Sequence, residues 1–223
     1  VRGPGVGIQH RFNSHWSADL AYRAPRGSNP NDEAGLFNGS YGILGQILYQ
    51  PSATTSIGVT FTHTYFDEAD VNLTDNIGSA FAQRPFDRVD TQANSYGLIG
   101  SVQFSPRLNL SGWVAYTDAQ AKAGSDRGAH ADIWTWAVTL AFPDLFKEGN
   151  VGGLVVGMPP KATHNDLNSR EDRDTSLHLE ALYRHRLTDN IAITPGIIAI
   201  INPEHDADNS TQVVGVIRTT FAF

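Results

Sequence analysis

Segments of alternating polarity, about 8–14 residues each, run the length of the chain, and the connections between them alternate between short and long. Eleven such segments can be drawn, at 5–12, 16–24, 38–50, 55–66, 92–104, 108–119, 131–142, 150–158, 173–186, 191–202 and 211–223. Asn13-Ser14-His15, Pro51-Ser52-Ala53-Thr54, Ser105-Pro106-Arg107 and Thr188-Asp189-Asn190 are short turns, with Phe142 to Asn150 a longer member of the set. Between them lie long polar connections: Pro25 to Phe37, Asp67 to Thr91, Gln120 to His130, Pro159 to Asp172 and Pro203 to Ser210. A soluble sandwich has no reason to alternate so regularly. A transmembrane barrel does, because its periplasmic turns are short and its extracellular loops long.

No run of apolar residues approaches the ~20 that a membrane-spanning helix requires, and none repeats at helical spacing. Most of the segments do reach the roughly 9–11 residues that a transmembrane strand needs. Charged residues are only 17% of the chain, below the ~25% common in soluble domains, while mean hydropathy is still −0.27. The fold class expected is all-β, a transmembrane antiparallel β-barrel, with residues 1–223 forming part of one barrel domain. The absence of cysteine removes disulfides and thiol chemistry, and a net charge of −7 argues against nucleic acid as a partner. Val1 opens no secretory signal pattern.

Strand parity assigns the faces. In 173–186, Leu177, Leu179, Ala181 and Tyr183 share one parity and His178, Glu180, Arg184 and Arg186 the other. Segment 16–24 repeats this, with Trp16, Ala18, Leu20 and Tyr22 opposite Ser17, Asp19 and Arg23. Arginine or lysine on the lipid side costs about 2–4 kcal/mol at mid-membrane, so the polar parity is expected to face water. The candidate pore-lining residues are Gln9, Arg11, Asp19, Arg23, Gln46, Gln103, His178, Glu180, Arg184, Arg186 and Arg218. Their arginine excess would bias a pore toward anions or bind sugar hydroxyls, or would pair with Glu180 and Asp19. Trp16, Tyr41, Tyr49, Tyr65, Tyr96, Phe104, Trp134, Phe142 and Phe223 fall near segment ends on the other parity, as interfacial aromatics do.

The long loops are acidic. Asp67, Glu68 and Asp70, or Asp206 and Asp208, offer oxygen ligands, but none has the EF-hand spacing, and solvated loops are the reading adopted. No metal site and no cofactor is expected. Catalysis is not expected either: no GxSxG elbow is present, Ser40 in NGSYG lacks the first glycine, and His178 with Glu180 is an isolated pair. The second reading is a soluble or surface β-sandwich binding module whose polar parity faces solvent.

The closing segment, TQVVGVIRTTFAF, resembles the C-terminal strand of bacterial outer-membrane proteins, which the barrel assembly machinery reads. GLFNGSYGILGQILYQPS, ADIWTWAVTLAFPDLFKEGNVGGLVVGMPP and TSLHLEALYRHRLTDNIAITPGIIAIINPEHD resemble the cyanobacterial porins of the OprB-like carbohydrate-selective family, nearest to the iron uptake porins. The resemblance implies an outer-membrane location among lipid and passive diffusion of small solutes, inorganic ions including iron or sugars. It also implies a homotrimer and a barrel of about 16 strands, an even number as bacterial barrels have. Eleven is odd, so the segment is expected to be the C-terminal part of the barrel. A wall-binding module and an inward-folded loop that narrows the pore are expected upstream.

Overall fold

The computed structural model describes residues 3–31 and 34–222. Phe223, and with it the final aromatic of the C-terminal signal, lies outside the described residues. Among the described residues eleven antiparallel strands follow one another in a single sheet, each hydrogen-bonded to the next in sequence. They are β1 (Gly5–Arg11), β2 (Trp16–Arg23), β3 (Tyr41–Ser52), β4 (Thr55–Phe66), β5 (Thr91–Ser105) and β6 (Leu108–Ala121). They continue with β7 (His130–Pro143), β8 (Val151–Asn165), β9 (Leu177–Arg186), β10 (Ile191–Ile201) and β11 (Gln212–Phe221). Two one-turn helices, α1 (Gly35–Asn38) and α2 (Ala80–Gln83), sit in the connections.

The short connections gather at one end of the sheet, the turn end, and the long ones at the other, the loop end. Among the described residues β1 and β11 are paired on one side only, so the sheet is open between them. A sandwich needs two sheets facing each other across a core, and the single sheet removes that reading. The all-β barrel-wall architecture is the one observed.

Strand bounds differ from expectation mainly at β8 and β9. Alternation in the sequence stops at Met158, where Pro159 and Pro160 follow, yet β8 continues to Asn165. The register explains this: Trp136 pairs with Met158 and Trp134 with Lys161, so both prolines fall in a bulge. A residue without an N–H is tolerated there because the ladder is already interrupted. Strand β9 begins at Leu177 rather than 173, because the residues before it are drawn into the loop network described below. Residues 38–40 are the end of α1 and its exit rather than strand.

The register lets one face be followed across the wall, since paired residues point the same way. Ile47 pairs with Val59, Val59 with Leu98, Leu98 with Val114 and Val114 with Trp136, a continuous apolar row at mid-strand. All but the half-buried Trp136 are exposed, Leu98 by 46% and Val59 by 53%. Toward the loop end the same face carries Phe61, Tyr96, Tyr116 and Trp134, each the register partner of the one before. Toward the turn end Trp16 stacks on Tyr49 with ring centroids 4.4 Å apart. An apolar band between two aromatic borders is the form of a lipid-facing surface. Just beyond the upper border, His63, Asn94, Asp118, Asp132 and His164 form one polar row.

The opposite face is mixed. Polar side chains alternate there with Gly97, Ala115 and Ala137 and with aliphatics such as Ile99, Ile198 and Ile200. The fold's small buried core lies on this face at the loop end: Phe86 against Ala93, Ala119, Ala121 and Ala131.

Candidate functional site

Every one of the expected site residues lies on the mixed face. Gln9 pairs with Asp19 and Asp19 with Gln46, while Arg11 and Arg23 hold the same parity on β1 and β2. Gln103 pairs with Asn109 near the turn end. His178 pairs with Gly157, Glu180 with Val155, Arg184 with Val151, Arg186 with Ala192 and Arg218 with Thr194. The fold thus divides them into a β1–β3 group and a β9–β11 group, with Gln103 on β5 between them. Arg11, Arg184, Arg186 and Arg218 all fall at the turn end of their strands, a basic rim that parity alone does not disclose.

Pairing within the face is sparse. Glu180 meets His178 at 3.3 Å rather than an arginine, and Gln46 donates to Thr60 Oγ1 at 3.3 Å. Arg186 reaches Asp189 in the adjoining turn at 2.5 Å, and Arg23 donates to the carbonyl of Gly3 at 3.1 Å. Among the described residues Arg184 and Arg218 have no carboxylate at ion-pair distance, so these cations are not neutralised by Glu180 or Asp19. Ser176 shares the parity of His178, but its hydroxyl donates to the carbonyl of Asn202 and its amide to His205 Nδ1. It is committed to the loop network and presents no nucleophile. Of the acidic loop residues, Asp67 and Asp70 are held by Arg26, at 2.5 and 3.0 Å.

The largest feature of the face is one the sequence reading did not foresee. Residues 67–90, the connection from β4 to β5, fold across the mixed face rather than away from the sheet. Phe86 is 2% exposed, inserted against the alanines of β5, β6 and β7. A phenyl ring fits there because those positions carry only methyl groups. The loop then reaches β8 and the β8–β9 connection. Asn165 donates to the carbonyl of Pro85 at 2.9 Å, and Arg170 to those of Pro85 and Arg84 at 2.9 and 2.7 Å. Gly78 has φ of +80°, and a Cβ there would lie 2.3 Å from the Pro160 carbonyl oxygen, so only glycine suits this crossing.

Ser79 and Asp172 close the junction. The Ser79 hydroxyl caps α2 by accepting from the Ala82 amide at 3.0 Å and donates to Asp172 Oδ2 at 2.6 Å. The same carboxylate oxygen accepts the Ala162 amide at 2.7 Å. From the β10–β11 connection, Glu204 accepts the Ala80 amide at 2.8 Å. His205, 2% exposed, accepts from the Ser176 amide through Nδ1 and donates through Nε2 to the Pro160 carbonyl at 3.0 Å. Burial pushes the Asp172 carboxyl above its ordinary range, against the pull of its two donors. Burial likewise pushes the His205 imidazole down, against the field of Asp172.

Signals for this cover were present in the sequence. Ala93, Ala119, Ala131 and Ala162 occupy the mixed-face parity near the loop ends, where polar groups were expected. The loop itself carries GSAFAQRPF, two phenylalanines in an otherwise polar stretch. The narrowing loop was expected outside this segment; here the β4–β5 loop covers part of the mixed face.

Comparison with known families and proteins places this geometry. The model of the family described as "Carbohydrate-selective porin, OprB family" matches residues 2–223. An uncharacterized protein of Synechocystis sp. is 36% identical over 237 aligned residues, covering 99% of this chain and 43% of that protein. An uncharacterized protein of Nostoc sp. is 31% identical over 213 residues, covering 93% of this chain and 36% of its own length. The chain therefore spans about two fifths of the length of these curated relatives.

Proposed function

From its place in the carbohydrate-selective porin family OprB, to which this chain belongs, we propose that it forms part of the wall of a water-filled outer-membrane channel for passive diffusion of carbohydrates. The observation that carries the reading is the two-faced sheet, whose exposed apolar band with aromatic borders is backed by a mixed face that a loop partly covers. In this reading the mixed face is the lumen, and Arg11, Asp19, Arg23, Gln46, Gln103, His178, Glu180, Arg184, Arg186 and Arg218 line it. The open edges of β1 and β11 are closed by further strands, because unpaired backbone groups are not tolerated in hydrocarbon. Loop 67–90, lying at the loop end, sets the width of the extracellular entrance.

Inorganic ions, iron among them, are the second cargo. Arg184 and Arg218 of the turn-end rim, without a carboxylate partner among the described residues, favour anions and anionic chelates over free cations. Assembly as a homotrimer, and recognition of β11 by the barrel assembly machinery, belong to the same reading.

The experiment is single-channel recording from the detergent-purified full-length protein in a planar bilayer, with reversal potential in a salt gradient and with sugars and ferric chelates as blockers. Stepwise openings reduced by sugar support the carbohydrate channel. Block by ferric citrate without block by sugar transfers the cargo to iron. No conductance from a folded, lipid-inserted protein overturns the channel.

A further inference from the structure

Of the strand aromatics among the described residues, two lie on the mixed face. Phe66 is 4% exposed, covered at the loop end, whereas Trp113 stands 46% exposed at mid-strand. Its side is fixed by its register partners, Ile99 on β5 and Ala137 on β7. An indole left uncovered on a surface meant for water forgoes its burial, and a ligand with an apolar face that stacks on it would restore that burial.

The ground beside it is shaped. The row from Trp113 runs through Ala137 and Gly157 to His178. A Cβ at Gly157 would lie 2.8 Å from Ala137 Cβ and 2.7 Å from the Trp136 carbonyl oxygen, so the floor stays low. The row spans three strand intervals, about 14 Å at the usual inter-strand spacing. At its far end His178 and Glu180 are joined at 3.3 Å. One row toward the turn end, Ser101, Ser111 and Thr139 place hydroxyls along the rim. Along β6, Trp113 lies six residues from Ala119, which is under the inward loop, a distance of about 20 Å. The ring therefore stands clear of that cover.

We propose that Trp113, with the Ala137–Gly157 floor and the His178–Glu180 pair, forms a saccharide-binding subsite on the inner wall. A pyranose ring has an apolar face of C–H groups and an edge of hydroxyls. The C–H face stacks on the indole, and the hydroxyls of a ring further along the trough bond to Glu180 and His178, which suits a disaccharide. This rests on the carbohydrate-channel reading for the sense of the mixed face. Its test is nevertheless a binding measurement that needs no conductance.

Maltose, cellobiose and glucose are titrated against the full-length protein in detergent micelles by calorimetry, for the wild type, Trp113→Ala and Trp113→Phe. The heat-dependent electrophoretic shift of a folded barrel serves as the folding control. Trp113→Ala is expected to weaken disaccharide binding about tenfold and Trp113→Phe about two- to threefold, the range for one aromatic stacking contact. A Trp113→Ala protein that folds and binds maltose and cellobiose as the wild type does overturns the subsite, whether or not the pore conducts. A wild type that binds none of the three sugars also overturns it. A wild type that fails to conduct but loses sugar affinity on Trp113→Ala keeps the subsite and removes the channel.

Discussion

Ser79 and Asp172 are 93 residues apart in the chain and share a hydrogen bond of 2.6 Å in the fold. The bond ties the β4–β5 loop to the β8–β9 connection, with the four strands β5 to β8 between them in the chain. Since Asp172 Oδ2 also accepts the Ala162 amide, the junction has a side-chain member and a backbone member. Replacing Ser79 by Ala removes the cap of α2 and one of the two donors to a buried carboxylate. A loss of about 1–3 kcal/mol is expected in docking the loop, with the strands intact. Limited proteolysis within 67–90 should speed up accordingly, and single-channel records should become noisier. Unchanged cleavage would remove the latch.

The same junction responds to pH through His205. Burial favours its neutral form, so the folded loop end binds fewer protons there than the unfolded chain. Its contribution is complete above the ordinary value of 6.5 and is lost as pH falls through the depressed folded value. Asp172 has the opposite sign: raised by burial, its contribution is full below the ordinary 3.8 and is lost as pH rises through the raised value. Lys161 and Asp172 face the imidazole electrostatically, and Asp174, Glu204 and Asp206 flank it. Protonation at Nδ1 would also remove the acceptor of the Ser176 amide. Hydrogen exchange at Ser176 and Asp174 should therefore accelerate as pH drops from 7 toward 5, beyond the intrinsic trend. His205→Gln should flatten that response, and an equally steep profile in the variant assigns it elsewhere.

Phe86 anchors the loop by packing. Its truncation to Ala leaves a cavity against four alanines that cannot expand to fill it, at a cost of about 3–5 kcal/mol. Because the ring belongs to the cover and not to the wall, that cost should appear as undocking of 67–90. Loop amides lose exchange protection while the folded barrel keeps its resistance to detergent at room temperature. Global unfolding at the same denaturant midpoint shift would show instead that cover and wall fold as one unit.

Leu98 and Thr60 test the two faces. Leu98 sits in the mid-strand apolar row, and Thr60 on the adjacent strand points the other way, accepting from Gln46. Leu98→Lys is expected to destabilise the protein in lipid vesicles by about 2–4 kcal/mol, and Thr60→Lys by well under 1. Denaturant titration of both variants reads the difference. Equal costs would mean that the faces are assigned wrongly.

The alternation of turns and loops was sufficient for the strand count, the all-β class and most strand bounds. The reason is local: a period of two and Pro- or Asn-rich turns are written into neighbouring residues. β8 escaped this reading because two prolines look like a stop, and only the facing residue Thr135 on β7 makes them a bulge. Parity also carried the site residues to one face, since the strands hold a continuous register between bulges. Their height along the strands, and hence the basic rim of Arg11, Arg184, Arg186 and Arg218, needed the pairing itself.

What the sequence by itself determined is the wall: which segments cross, in what order, and which side chains share a surface, all consequences of the two-residue repeat. What only the tertiary structure decided is what stands against that wall. The Phe86 ring against its alanines, Ser79 against Asp172 and Trp113 in one row with Ala137 and Gly157 bring together residues up to 93 positions apart. Their partners are chosen by shape and by unsatisfied hydrogen-bonding groups across strands, and neither is expressed in local periodicity.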